Sequence, residues 1–422
     1  MTSQNPVVFV PGIFGSLGHD IIPGTGKMRF GPSKYVYEPV VENFIDMGYK
    51  KEETLFVCFY NWRKSNKYSA KEYLIPIIEK AKNKTGSNKV DIVAHSMGGL
   101  VARSYIQSED YRDDINKLIL AGTPNAGSPS SYFFCSGGKL PYDEVNNNFF
   151  FKALWEGFVW YMKASSKGNK MGKLKNFFPS VTELLPCRQY GDYIFKDDDK
   201  ECLEFIPISD MELQNNFLNE LNDNSNILYR RRIKIYQIIG YGYETDEYIC
   251  IKKADEKTWK DGKPVYSVKT VYGDGRVTCD SCKTIKSKQV LVTGSHTDLL
   301  KDNKLILANM LNKQVKQTKI KEEKNKKICN VLINGAKRAH IKVNENEIVV
   351  DRHYKNVYKN INVEKTGYNN YWVLIYVNED DKLKIKVDPL SRKCNVSVFS
   401  NSNVHKNQNI NINIYNSGWI DL

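Results

Sequence analysis

Val90-Asp91-Ile92-Val93-Ala94-His95-Ser96-Met97-Gly98-Gly99-Leu100 decides the fold. A short apolar run reads as a buried strand. It stops at a serine flanked by small residues, and a helical pattern starts at Leu100-Val101-Ala102-Arg103. Strand, sharp turn and helix in that order are what a nucleophile elbow requires. The turn is so tight that the positions two before and two after the serine have almost no room for a side chain, and Ala94 and Gly98 occupy them. Such an elbow holds the Ser96 hydroxyl up at the end of a sheet and aims the positive end of the next helix toward it. A small-Xaa-Ser-Xaa-Gly pentapeptide also recurs by chance, so the weight lies on the strand before it and the helix after it.

A serine hydroxyl is a weak nucleophile at neutral pH; it needs a base, and the base needs an orienting acid. On this type of sheet the chain order is serine, acid, histidine. Six histidines are available. His19 lies upstream in a loop, and His95 adjoins the serine with its side chain expected to point away from the hydroxyl. His340, His353 and His405 fall in a C-terminal region of different character. His296 remains, in a small-residue loop just past a strand-like run at 289–293. Ahead of it, an alternating run at 265–272 ends in Gly273-Asp274-Gly275, where a carboxylate can turn sideways toward an imidazole. Asp274 is the expected acid; Asp280 and Asp298 compete, and a plain Asp-Gly turn is the non-functional explanation.

Acyl chemistry further requires two backbone N–H groups facing the developing oxyanion. Met97, the residue after the nucleophile, is one candidate. The other is expected from Pro11-Gly12-Ile13-Phe14-Gly15-Ser16, which follows the apolar run Val7-Val8-Phe9-Val10 and in which Gly12 permits close backbone approach. Ile13 is the first candidate donor and Phe14 the second. Phe14 is also a candidate substrate-binding residue.

These pieces, in this order, resemble the lecithin:cholesterol acyltransferase-like branch of the α/β-hydrolase lipases. The resemblance runs from about residue 6 to residue 311. Besides the motifs above it rests on Phe59-Tyr60-Asn61-Trp62-Arg63, Leu120-Ala121-Gly122-Thr123-Pro124-Asn125-Ala126-Gly127-Ser128 and Tyr272-Gly273-Asp274-Gly275-Arg276-Val277. It implies Ser96 as nucleophile, Asp274 as acid and His296 as base, acting on acyl esters such as glycerolipids or phospholipids. It also implies that Trp62 lies at the floor or acyl cleft of the site, with internal packing as the alternative. Two features depart from the family pattern: Arg276 stands where Thr is usual, and Cys279-Asp280-Ser281-Cys282 follows the acid loop closely.

The 422 residues are enough for two or three domains and a core that needs no disulfides. The net charge of +14 suits an anionic membrane surface or nucleic acid. The lysines are dispersed and no nucleic-acid motif occurs, so no nucleic-acid partner is expected, and an Asn-, Lys- and Ile-rich composition also follows from AT-rich coding. Of nine cysteines, Cys279 and Cys282 form one CxxC without a second pair at zinc-site spacing, so a local disulfide or two free thiols is expected. Cys187 and Cys202 could pair in an exported protein. No metal or other cofactor is called for. No signal peptide or membrane-spanning window is seen, which predicts a cytoplasmic protein, or an extracellular one if a leader has been removed.

Alternating strands and helices up to about residue 128 predict parallel strands with crossover helices, the α/β-hydrolase fold. The alternation stops over 128–226. Its aromatic clusters, with Trp155 and Phe158 as candidate substrate contacts, predict an inserted helical lid or cap over the site, or a helical subdomain whose aromatics are core. The catalytic domain is thus expected at 1–312, a charged linker at 313–327, and a module of short alternating strands, a β-sandwich, at 328–422. The expected activity is a serine hydrolase for lipid esters. A lipid O-acyltransferase sharing the same acyl-enzyme is the first alternative, and a non-catalytic lipid- or surface-binding protein the second.

Overall fold

The computed structural model describes residues 5–21, 26–30, 33–137, 178–196, 204–252, 261–315, 326–351, 361–367, 370–378, 381–389, 394–401, 412–413 and 419–421. Trp155, Phe158, Cys202 and the middle of the expected lid lie outside these residues. The chain packs as two compact units, Met1–Val268 with Tyr272–Lys316, and Gln317–Leu422 with Lys269–Val271.

Up to residue 293 the strands are β1 (Val7–Val10), β2 (Leu55–Val57), β3 (Val90–His95), β4 (Ile115–Ala121), β5 (Ile194–Lys196), β6 (Glu204–Ile206), β7 (Lys234–Tyr241), β8 (Thr245–Lys252), β9 (Lys263–Thr270) and β10 (Lys288–Thr293). Six of them form a sheet of order β10-β7-β4-β3-β1-β2, and every neighbouring pair is parallel. Strands β1 and β3 are buried at every position, as a parallel sheet covered on both faces demands. Successive side chains leave a strand on opposite faces. Val8 and Val10 accordingly enter one core, with Leu74, Ile78, Leu100 and Val101. Val7 and Phe9 enter the other, with Val40, Phe44, Leu299 and Leu307.

Helices α1 (Lys34–Asp46), α2 (Ile75–Thr85) and α3 (Met97–Ile106) cover the sheet. Helix α1 starts at Lys34 and runs through Pro39. A left-handed Gly86, φ 68°, closes α2. The stretch expected to be a helical insertion also contains β5 and β6. They join β8 and β9 in a second sheet of order β6-β5-β8-β9, with β5 parallel to β8 and antiparallel to β6.

The second unit is a β-sandwich. Its strands are β11 (Lys326–Asn334), β12 (Ala336–Val343), β13 (Asn346–Val350), β14 (Ile361–Gly367), β15 (Asn370–Asn378), β16 (Leu383–Pro389), β17 (Asn395–Asn401), β18 (Ile412–Asn413) and β19 (Ile420–Asp421). They form sheets β14-β15-β11-β17-β18 and β13-β12-β16-β19. One core joins the two, with Val331, Val373 and Val396 from the first sheet meeting Ile341, Ile348 and Ile385 from the second.

Candidate active site

Strand β3 ends at His95 and α3 begins at Met97, so Ser96 alone makes the turn, with φ 54° and ψ −130°. A non-glycine residue in such a conformation carries strain of order 1–3 kcal/mol and persists only where its surroundings hold it. Here the Ser96 N–H donates to the Ala121 carbonyl at 2.8 Å. A Cβ on Gly98 would overlap the carbonyl oxygens of Val10 and Pro11, so the small residue after the serine is dictated by the neighbouring strand end. Gly12 abuts the serine itself, where a Cβ would come 2.8 Å from Ser96 Cβ.

The structure brings residues 96, 274 and 296 together. His296 Nε2 lies 2.8 Å from Ser96 Oγ, and His296 Nδ1 lies 2.8 Å from Asp274 Oδ2. The Asp274 side chain is fully buried and that of His296 nearly so. The other Asp274 oxygen, Oδ1, accepts the N–H groups of Arg276 at 2.9 Å and Val277 at 2.8 Å. The Asp274 carbonyl accepts the His296 N–H at 2.7 Å. The carboxylate is thereby clamped by its own loop and left one oxygen to orient an imidazole. Of the competitors, Asp298 accepts instead from Ser295 Oγ and Lys301 Nζ, and Asp280 sits in the short helix Cys279–Lys283. Cys279 and Cys282 are buried free thiols, and burial raises both. Cys187 is a free thiol as well.

The segment Gly12-Ile13-Phe14-Gly15 is a tight turn closed by Gly15 N–H donating to the Gly12 carbonyl at 3.0 Å. Phe14 has φ 60°, the sign pattern of a type II turn with a non-glycine residue at the strained corner. The turn is held from both sides: Gly12 N–H donates to Tyr37 Oη at 2.8 Å, and Tyr60 Oη donates to the Pro11 carbonyl at 2.9 Å. Met97 is the first residue of α3, so its N–H has no acceptor within the helix. The Phe14 ring stands edge-on to Trp62 with centroids 4.5 Å apart. Trp62 is buried, stacks on Phe178 at 6.0 Å and donates its indole N–H to the Ser16 carbonyl at 3.0 Å. Trp62 thus contacts the turn residue Phe14 and the following Ser16.

Sequence reasoning missed Tyr37 and the work of His95. The His95 Nε2 lies 2.7 Å from the His296 carbonyl oxygen and its Nδ1 2.9 Å from Tyr37 Oη. Burial, and then the neighbouring His296, lower the His95 imidazole to about 3. An aromatic in a helical pattern, such as Tyr37, gives no sign of this in the sequence.

A parallel sheet of this order, with a strained serine at the β3–α3 elbow and an acid and a histidine supplied by later loops, defines an α/β-hydrolase. Residues 25–148 match the family described as Lecithin:cholesterol acyltransferase, so the resemblance read from the motifs is borne out. The chain is 26% identical over 332 residues to "Phospholipase A(1) LCAT3" of Arabidopsis thaliana, covering 70% of this chain and 74% of that protein. It is 21% identical over 310 residues to "Lecithin-cholesterol acyltransferase-like 4" of the same plant, covering 65% of this chain and 58% of that protein. Among solved structures it is similar to the mature form of the Bacillus licheniformis lipase BlEst2, at 15% identity and a TM-score of 0.38, covering 74% of this chain and 94% of that one. Among the described residues no group of His, Cys, Asp and Glu could hold a metal ion, and no helix is long and apolar enough to cross a membrane.

Proposed function

We propose that this protein is a serine hydrolase that cleaves carboxylic ester bonds of lipids through an acyl-enzyme. The observation that carries the proposal is the unbroken hydrogen-bonded line Ser96 Oγ, His296 Nε2, His296 Nδ1, Asp274 Oδ2, with both links at 2.8 Å. Ser96 attacks the ester carbonyl as His296 takes its proton. The oxyanion is met by the N–H groups of Met97 and Ile13, with Phe14 as the second candidate for the latter. His296 returns the proton to the leaving alcohol, water then attacks the acyl-enzyme with His296 again as base, and Asp274 steadies the imidazolium throughout. A lipid ester as substrate is supported by the names of the family and of its phospholipase A(1) relative. The Phe14 ring next to the turn is a candidate wall for an acyl chain, and Trp155 and Phe158 of the inserted segment are proposed as further substrate contacts. Peripheral contact with an anionic membrane surface fits the charge of +14.

The family's own name favours one further reading of the same site, transfer of the acyl group to an alcohol in place of water. A fluorophosphonate probe and a labelled phospholipid, offered with and without a sterol, test both. The expected result is labelling of Ser96, free fatty acid as the product, and loss of turnover on the order of 10⁶-fold in Ser96→Ala at unchanged melting temperature. Sterol ester as the main product selects transfer. Unlabelled, inactive wild-type protein leaves a binding protein on this fold. The division into a catalytic domain at 1–312, a linker at 313–327 and an accessory module at 328–422 is likewise proposed. It predicts that a chain ending at residue 315 still hydrolyses a small soluble ester.

A further inference from the structure

Tyr37 and His95 form a hydrogen-bonded bridge beside the elbow, and each end of it holds a different part of the proposed machinery. At one end Gly12 N–H meets Tyr37 Oη at 2.8 Å. In the middle Tyr37 Oη meets His95 Nδ1 at 2.9 Å. At the other end His95 Nε2 meets the carbonyl oxygen of His296 at 2.7 Å. Chemistry fixes the direction of every link. A carbonyl oxygen only accepts, so His95 Nε2 carries the proton. The neutral imidazole then has only Nδ1 as an acceptor, so the Tyr37 hydroxyl donates to it. The hydroxyl oxygen keeps its lone pairs for Gly12 N–H. Only one tautomer of His95 satisfies the chain.

We infer that Tyr37 and His95 are positioning residues that hold the oxyanion turn and the general base in register with the nucleophile, an inference that rests on the serine-hydrolase reading above. Both act through Gly12 and His296, to which they are hydrogen-bonded. His95 is bonded through the backbone to Ser96, so a bridge rooted there shares one element with the attacking hydroxyl. At the base, the His296 backbone is gripped by its carbonyl through His95 and by its N–H through the Asp274 carbonyl, while Asp274 Oδ2 holds the ring. At the turn, Gly12 is fixed one residue before the Ile13 amide. Misplacement of such groups by about 1 Å costs on the order of 10²-fold in rate. Both bridging side chains are buried. Burial, with the adjacent His296, keeps the His95 imidazole neutral, lowering it to about 3. Packing alone is a separate role: the Tyr37 and His95 rings also meet edge-on at 5.6 Å, and that contact survives loss of the hydroxyl.

Tyr37→Phe therefore separates the two roles. Turnover of a soluble p-nitrophenyl ester and thermal melting are measured for Y37F, H95L, H95Q, the Y37F/H95L double variant and S96A. The expected result is a fall in kcat of about tenfold or more in Y37F and H95L with KM within about twofold. H95Q, which still offers an N–H to the His296 carbonyl, recovers part of the H95L loss. The double variant is no slower than H95L, because the bridge is already broken. A Y37F protein with wild-type kcat, or a double variant whose loss is the product of the single losses, overturns the inference. So does a kcat loss matched by an equal loss of folded protein. Imidazole ¹⁵N spectra of the unmutated protein test the same arrangement if the variants do not fold. His95 is expected neutral with its proton on Nε2 between pH 5 and pH 8, and a proton on Nδ1 or a titration in that range overturns the bridge. An S96A protein that keeps turnover removes the serine-hydrolase reading and this inference with it, whereas an inactive S96A beside a fully active Y37F removes the inference alone.

Discussion

Gly122 lies directly against the hydrogen bond between Asp274 and His296. A Cβ on it would stand 2.9 Å from Asp274 Oδ2 and 3.0 Å from His296 Nδ1. Gly122 follows β4 with φ 57°, and its N–H donates to the Ile238 carbonyl at 3.1 Å, so the backbone cannot swing aside without breaking a link to β7. Gly122→Ala thus adds a strained left-handed residue and wedges the acid away from the base. The expected outcome is a fall in kcat on the order of 10²-fold with a smaller effect on melting temperature. Steady-state kinetics beside a melting curve checks it, and a G122A variant of wild-type kcat would show that the pair tolerates a wider separation than proposed.

Glu183 ties the segment that follows Phe178 to the segment starting at Asn66. Its Oε2 accepts both the backbone N–H and the Nδ2 of Asn66, each at 2.7 Å. Burial raises its carboxyl to about 7, against the opposing pull of the two Asn66 hydrogen bonds and Lys67. The folded protein therefore keeps this proton up to about pH 7, while the unfolded chain releases it near the ordinary value of 4.5. Across that window the folded state binds more protons than the unfolded one, so this group's contribution to stability falls as pH rises. The slope is at most about 1.4 kcal/mol per pH unit. Glu183→Gln has no proton to lose. Its melting temperature relative to wild type is expected to shift upward between pH 5 and pH 8, and a difference that stays flat across the window contradicts the prediction.

Much of the proposed triad is legible in the sequence because its signals are local. Ala94 and Gly98 mark a turn too tight for larger residues, Gly273 and Gly275 frame Asp274, and chain order leaves His296 as the base. The Tyr37–His95 link joins residues 58 positions apart. It exists because α1 packs on the sheet face that carries Val7, Phe9 and Val93, the face that alternation also gives His95, and no local pattern encodes that contact. Strands β5 and β6 were hidden for a related reason: each is three residues long, and β5 acquires its register from β8 far along the chain. Trp62 shows the opposite case. Its motif is legible, but its contacts with Phe178 and Ser16 are brought to it only by the fold.

Arg103, on the helix that follows the nucleophile, is fully buried. Its guanidinium donates to neutral oxygens: Gln107 Oε1 at 3.1 Å, Asn125 Oδ1 at 2.9 Å, Leu221 O at 3.3 Å and Asn222 Oδ1 at 2.8 Å. Burial lowers it to about 10, so it remains charged at neutral pH and depends on that ring of acceptors. The planar fork with several fixed donors serves residues from three places in the chain at once, which a single ammonium on a flexible stem does not. Arg103→Met is expected to leave Asn125 Oδ1 and Asn222 Oδ1 short of a donor, while the Leu221 carbonyl keeps Gln107 Nε2 at 2.6 Å, with a loss of about 3 kcal/mol. Arg103→Lys keeps the charge and some of the hydrogen bonds, and so loses less. Urea unfolding of the two variants measures the order. An R103M variant as stable as wild type would mean that the surrounding amides re-pair among themselves, and an R103K variant less stable than R103M would mean that desolvation of the charge outweighs the hydrogen bonds it makes.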